Sequence, residues 1–201
     1  MKVILGSSSP RRRSILSSVY HSDFTVTHPD VDETILQGEK PSEHCLRLAE
    51  SKLAACLSSA SANTVVICAD TIVTLDDMIF GKPASYDEAI SFLSQLQGRS
   101  HYVLSALAIA VKTHNTTIIS KICRTRVEFR KLSLSQIKSY LLSIEYQDKA
   151  GAYAIQDQGS MIIDTIDGSL SNVIGFPVRL YFSLLFDIGA VQSLYPGHEQ
   201  V

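Results

Sequence analysis

The chain has 201 residues, 45% of them hydrophobic and 19% charged, with 18 Lys and Arg against 20 Asp and Glu for a formal charge of −2. So apolar and near-neutral a chain can bury enough surface to offset its ordering entropy, which excludes a wholly disordered chain. It also lacks the broad positive field that a nucleic-acid binder needs, so any basic site has to be local.

Lys2 to Leu5 reads as a short buried strand. Gly6 and three serines then make a turn, and Pro10 suits the first turn of a helix capped by Ser9 and running towards Tyr20. Phe24 to Thr27 is a second strand, followed by the loop His28 to Thr34. From Pro41 to Ser59, Leu46, Ala49, Leu53, Cys56 and Leu57 recur at helical steps of three and four. Val65 to Ala69 is a continuous apolar run ending at Asp70, the mark of a strand buried on both faces, and strand character resumes over Thr71 to Leu75. After Asp76-Asp77 and the break Gly81-Lys82-Pro83, Ser85 and Glu88 form a capping box for a helix reaching Leu96, with Gly98 as its terminator.

His101 to Val111 and Thr116 to Phe129 flank a His114-Asn115 turn as a long hairpin. A short helix over Ser135 to Ser143 follows, then Lys149 to Gln156, a strand over Met161 to Ile166, the segment Gly168 to Pro177, and a last helix over Val178 to Phe186. The chain after Gly189 reads as a loose terminus. Strands in mixed order with helices between them predict an α/β fold on one mixed sheet, bent or split into two lobes.

MKVILGSSSP has too short an apolar run for the core of an export signal, and no run approaches the roughly 18 apolar residues of a membrane span. Cys45, Cys56, Cys68 and Cys123 form no CxxC pair and no Cys/His clamp. Reduced, mostly buried thiols and a cytoplasmic location are therefore expected.

The segment Ser7 to Arg13 is the most informative. A serine turn leaving a strand and entering a helix gathers N–H groups, hydroxyls and the positive helix end at one point, and arginine adds planar donors suited to phosphate. The plainer alternative is a capped helix with solvated arginines. Three consecutive arginines cannot share one helix face, and Arg13 is the one expected to point away. Asp70 is placed at the carboxyl end of its strand, where open α/β sheets form ligand crevices; there it can accept a proton or hold a metal, or simply cap a turn. Asp32-Glu33 offers a second carboxylate pair. Lys52, Lys82 and Lys149 are each more often surface than site, but carboxylates and cations at several loop ends are what metal-assisted attack on a polyphosphate needs. There is no GxxxxGK[ST] or GxGxxG loop, and scattered aromatics without Trp give no stacking platform for single strands.

These residues resemble the Maf family of nucleoside triphosphate pyrophosphatases over nearly the whole chain. The matching pieces, in order, are SxSPRR (Ser7 to Arg12), Asp32-Glu33, AxxK (Ala49 to Lys52), ADT (Ala69 to Thr71), GKP (Gly81 to Pro83), GRSH (Gly98 to His101), KAGAYAIQ (Lys149 to Gln156) and SNVIGFP (Ser171 to Pro177). The resemblance implies a single catalytic domain over 1–189 with a tail over 190–201, in an elongated α/β fold of two lobes around a central cleft, related to that of inosine triphosphate pyrophosphatases. It implies hydrolysis between the α and β phosphates with a divalent metal, Mg²⁺ or Mn²⁺. Asp70 would accept the proton of the attacking water and share metal binding with Glu33. Arg11, Thr71 and Gln156 would govern substrate choice, and Ser9, Arg12, Lys52 and Lys82 would contact phosphates.

KAGAYAIQ resembles the subfamily acting on dTTP and UTP, and a Gln amide that donates and accepts suits the O4/N3–H edge of thymine or uracil, modified pyrimidines included. The family usually has Gly after that Gln and Trp shortly before KAG. Here Asp157 and Tyr146 stand at about those places, and Asp157 puts a charge and a Cβ beside the recognition residue. A homodimer is compatible with the resemblance, as is a non-catalytic nucleotide sensor regulating septum formation. Two acids, Asp70 and Glu33, alongside the basic donors favour the enzyme.

Overall fold

The computed structural model describes residues 1–196, the side chain of Asp157 excepted. β1 (Lys2–Gly6), β2 (Thr25–Thr27) and β3 (Thr64–Leu75) run parallel. β3 also pairs antiparallel with the short β4 (Met78–Phe80) and with β5 (Ser100–Lys112), and the antiparallel series goes on through β6 (Thr116–Phe129) to β7 (Ile163–Asp167). The order across the sheet is β2-β1-β3-β5-β6-β7, so the expected mixed α/β fold is the one observed. No helix among the described residues is long and apolar enough to cross a membrane.

α1 (Pro10–Val19) connects β1 to β2 over one face of the sheet, and α2 (Pro41–Ser59) leads back to β3 over the other. Because β1 lies between β2 and β3, these connections diverge from its carboxyl end and leave a crevice there. The ammonium of Lys112 closes the far end of α2, donating to the carbonyls of Leu57 (3.1 Å) and Ala60 (2.6 Å), where the helix dipole is negative.

Strand alternation then sorts the core. Val66, Cys68 and Ile72 of β3 face α2, packing with Cys45, Leu53 and Cys56. On the opposite face two separate clusters form. Val65, Ile67 and Ala69 pack with α1, α6 (Val178–Asp187) and α7 (Val191–Leu194), around Phe176 and Tyr181. Val73 and Leu75 pack with α3 (Tyr86–Leu96) and α4 (Leu134–Leu142), around Phe80, Phe129 and Tyr140. Between them lies Thr71, with its register partner Ser105 on β5 between Val103 of one cluster and Leu107 of the other. The two lobes are thus two half-cores on one face of continuous strands, parted by a polar seam.

Several sequence expectations change. β3 is one uninterrupted strand, and Asp70 lies near its middle instead of at a carboxyl end. The crevice forms there all the same, because β1 stops at Gly6, opposite Cys68, while β3 continues. The short helix α5 (Leu170–Ile174) was not expected. Met161 ends a 3-10 turn, Asp157–Met161, so β7 starts at Ile163. Ser85 caps α3 by accepting from Glu88 N, but the Glu88 carboxylate turns to Ala84 N, leaving the box half made. Where a loose terminus was expected, Ala190 and Leu194 are buried and Tyr195 packs edge-on against Tyr20; residues 197–201 lie outside the described residues.

Candidate active site

A cleft of about 670 Å³ opens at the seam, a size suited to a small molecule. Ser9, Arg11, Arg12, Glu33, Lys52, Asp70, Thr71, Lys82 and Gln156 all line it.

One wall is the turn between β1 and α1. Ser9 is the N-cap: its Oγ accepts from Arg12 N at 3.4 Å, which leaves its hydroxyl hydrogen for an anion. The neighbouring arginines part company. Arg11 reaches across the cleft mouth to Asp148, with Nη1 2.9 Å from Oδ2 and Nη2 3.2 Å from the carbonyl. Arg12 folds inward, and its Nε donates to Gly175 O (3.0 Å), Nη1 to Ser7 Oγ (3.2 Å) and Nη2 to Thr71 Oγ1 (3.0 Å). Burial draws the Arg12 pKa down and Asp70 is the chief opposing charge, but a guanidinium stays protonated. Arg13 is exposed and faces away from the cleft, as its place on the helix predicts.

The opposite wall carries the carboxylates. Lys52, on α2, puts its Nζ 2.6 Å from Asp70 Oδ1 and 2.7 Å from Glu33 Oε1. Asp70 is 6% exposed. Burial works against the Lys52 charge, yet Asp70 and then Glu33 outweigh it and hold the ammonium above its ordinary pKa. Partial burial likewise works against Glu33, and Lys52 holds it below the usual carboxylate range. The loop carrying Glu33 has no regular structure, so side chains fix it: Arg47 donates to Thr34 O (2.9 Å) and to both oxygens of Glu39, and Glu39 accepts from Leu36 N (3.0 Å).

Lys82 stands exposed on the loop after β4, and the carbonyl of Gly81 beside it accepts from Gly151 N (3.0 Å), tying that loop to the KAGAYAIQ segment. Gly151 (φ 69°) and Ala152 (φ 61°) both adopt left-handed backbone there. For Ala152 this costs about 1–2 kcal/mol, strain of the kind that packed loops hold at functional sites. Gln156 is exposed at the end of the segment, just before the 3-10 turn. Five cations, Arg11, Arg12, Lys52, Lys82 and Lys149, and three anions, Glu33, Asp70 and Asp148, line the cleft, so it is net positive although the chain is net negative.

Sequence reasoning missed Asp148, which holds both Arg11 and, at 2.7 Å, Lys149, and it missed the buried Ser105 and Asn172 behind Thr71. A lone serine in the apolar run Val103 to Val111 was the available signal.

For a metal, the donor set is Glu33 and Asp70, which one ammonium already bridges. No group of three or more His, Cys, Asp or Glu suited to a metal exists among the described residues. Two carboxylates with the other positions left to water and phosphate oxygens is the arrangement Mg²⁺ prefers, so the residues fit such an ion.

A model of the Maf-like protein family matches residues 2–188. A dTTP/UTP pyrophosphatase of Thermoanaerobacter sp. (strain X514) is 39% identical over 192 residues, covering 94% of this chain and 98% of that one. A dTTP/UTP pyrophosphatase of Neisseria gonorrhoeae is 40% identical over 191 residues, covering 92% and 93%. Among solved structures, a nucleoside-triphosphatase / dITP/XTP pyrophosphatase of Mycobacterium abscessus aligns over 98% of both chains at 13% identity with a TM-score of 0.47.

Proposed function

The chain belongs to the Maf family, and from that membership and the cleft geometry we propose that it is a nucleoside triphosphate pyrophosphatase acting on dTTP and UTP, releasing pyrophosphate and the nucleoside monophosphate. The observation that carries the reading is Asp70, a buried carboxylate held by Lys52 on the floor of a net positive cleft, across from the Ser9–Arg12 corner.

Asp70 Oδ1 is committed to Lys52, so Oδ2 is the oxygen that takes the proton of the attacking water. Ser9, Arg12 and Lys82 hold the phosphates, and the positive end of α1 adds to them. A guanidinium already fixed on three sides binds the phosphates with little reorganisation. Glu33 and Asp70 would hold Mg²⁺ or Mn²⁺, which supplies positive charge at the phosphate oxygens when bound. Gln156, exposed at the cleft, offers its amide to the pyrimidine edge. Four free thiols fit a reducing cytoplasm, where we place the enzyme.

Incubation with a panel of nucleoside triphosphates and Mg²⁺ tests the reading. Equimolar pyrophosphate and dTMP or UMP is the expected result. Orthophosphate with the nucleoside diphosphate would overturn the cleavage position.

A further inference from the structure

The seam between the half-cores is a chain of hydroxyls whose hydrogens can be placed by counting donors. Ser105 Oγ donates to the carbonyl of Asn172 at 3.0 Å, and a serine hydroxyl has one hydrogen to give. The 2.9 Å contact between Ser105 Oγ and Thr71 Oγ1 is therefore donated by Thr71. Its hydrogen engaged there, with Gly175 O a longer branch at 3.4 Å, Thr71 presents a lone pair to Arg12, whose Nη2 donates to it at 3.0 Å. The donors run one way, from Arg12 through Thr71 and Ser105 to the backbone of Asn172.

The far end of this chain is anchored. Asn172 is fully buried, and its Nδ2 donates to Val103 O (3.0 Å) and Thr125 Oγ1 (2.9 Å), so its backbone carbonyl cannot drift relative to β5 and β6. Ser105 is also fully buried, on the face of β5 between Val103 and Leu107. A buried hydroxyl among such residues gains nothing by itself, and its contribution lies in the bonds it makes.

We propose that Ser105 is a positioning residue for Arg12, and that Thr71 acts through Arg12 rather than by presenting its hydroxyl to a nucleobase. A guanidinium has five N–H donors. Ser7, Thr71 and Gly175 engage three of those of Arg12, and their placement sets where the other two point. Without Ser105, Thr71 loses the acceptor that holds its lone pair on Nη2, and the guanidinium swings. The proposal rests on the reading of the cleft as a triphosphate site.

Ser105→Ala, Thr71→Val and the double variant form the test, with two readouts: calorimetric affinity for inorganic tripolyphosphate, which needs no turnover, and KM and kcat for dTTP. Each single variant is expected to weaken tripolyphosphate and raise KM by about tenfold, with kcat within about threefold of the parent. The double variant should be no worse than Thr71→Val alone, because both changes cut one chain. Effects that multiply to about a hundredfold would overturn the proposal, as would an unchanged Ser105→Ala. Should the alanine variant not fold, Ser105→Cys, which keeps the size and weakens the donor, carries the same expectations.

If the parent protein releases no pyrophosphate from any triphosphate, the functional reading falls, and the tripolyphosphate titration still decides the role of Ser105. If Ser105→Ala matches the parent in both readouts, that role falls and the functional reading stands. A parent protein that binds no tripolyphosphate overturns both.

Discussion

Lys52 Nζ lies 2.6 Å from Asp70 Oδ1, joining the middle of α2 to the middle of β3 at the floor of the cleft. Both side chains are largely withdrawn from water, 11% and 9% exposed, so the pair is set in a medium where removing one partner leaves the other costly. Lys52→Met should lower unfolding free energy by about 3 kcal/mol, since Asp70 would remain buried and uncompensated. Urea unfolding measures this directly, and a loss below about 0.5 kcal/mol, as for an exposed pair, would show that the two charges are independently solvated.

His101 gives stability a pH dependence of its own. It is fully buried, with Nε2 2.7 Å from the hydroxyl of Tyr153, and burial pushes its pKa from 6.5 down to about 4. The unfolded chain therefore takes up the proton first as pH falls. The His101 contribution to stability is nearly whole at pH 7 and above and is lost towards pH 4, with about 2 kcal/mol of the loss falling between pH 7 and pH 5. Denaturation at those two pH values should show a smaller difference for His101→Phe by about that amount. Identical differences would mean that His101 does not titrate between the two states.

Gly6 ends β1 above two thiols. A Cβ there would overlap Cys68 Sγ and come within 2.7 Å of Cys56 Sγ, and both sulfurs are buried between α2 and β3. Gly6→Ala should cost about 1–3 kcal/mol by overpacking. It should also raise KM, since the Ser7–Ser9 turn starts at the displaced residue. A thermal midpoint unchanged within a degree would contradict this account of the strand end.

Asp148 occupies the guanidinium of Arg11 at the cleft mouth, and half of its side chain is exposed. As a stabilising pair it is worth under about 1 kcal/mol. Asp148→Ala should therefore leave stability nearly unchanged while lowering KM for a triphosphate, because it frees Arg11 and removes a negative charge from a site for a polyanion. A higher KM would mean that Asp148 holds Arg11 in its working position.

How much of this was legible in the chain depends on how local the physics is. The Ser9 cap and the Pro10 start of α1 follow from neighbouring residues, and so does the divergence of three successive arginines. The sequence divides β3 in two because Asp70-Thr71 interrupts an apolar run. In the sheet these two polar residues simply face opposite sides, one towards α2 and the other into the seam. Arg11 and Asp148 are 137 residues apart, and no periodicity or spacing announces such a pair. Ser105 is a lone serine in an apolar strand, and only its partner across the sheet, Thr71, gives it a place in the site.

Asp70→Asn tests the central claim most directly, with dTTP turnover and tripolyphosphate affinity measured on the same preparation. The substitution keeps shape and an acceptor for Lys52 but removes the base. Turnover is expected to fall by about 10²–10⁴-fold, the usual contribution of a general base, while tripolyphosphate still binds. A variant that releases pyrophosphate at a near-parental rate would contradict the assignment of Asp70 as the proton acceptor.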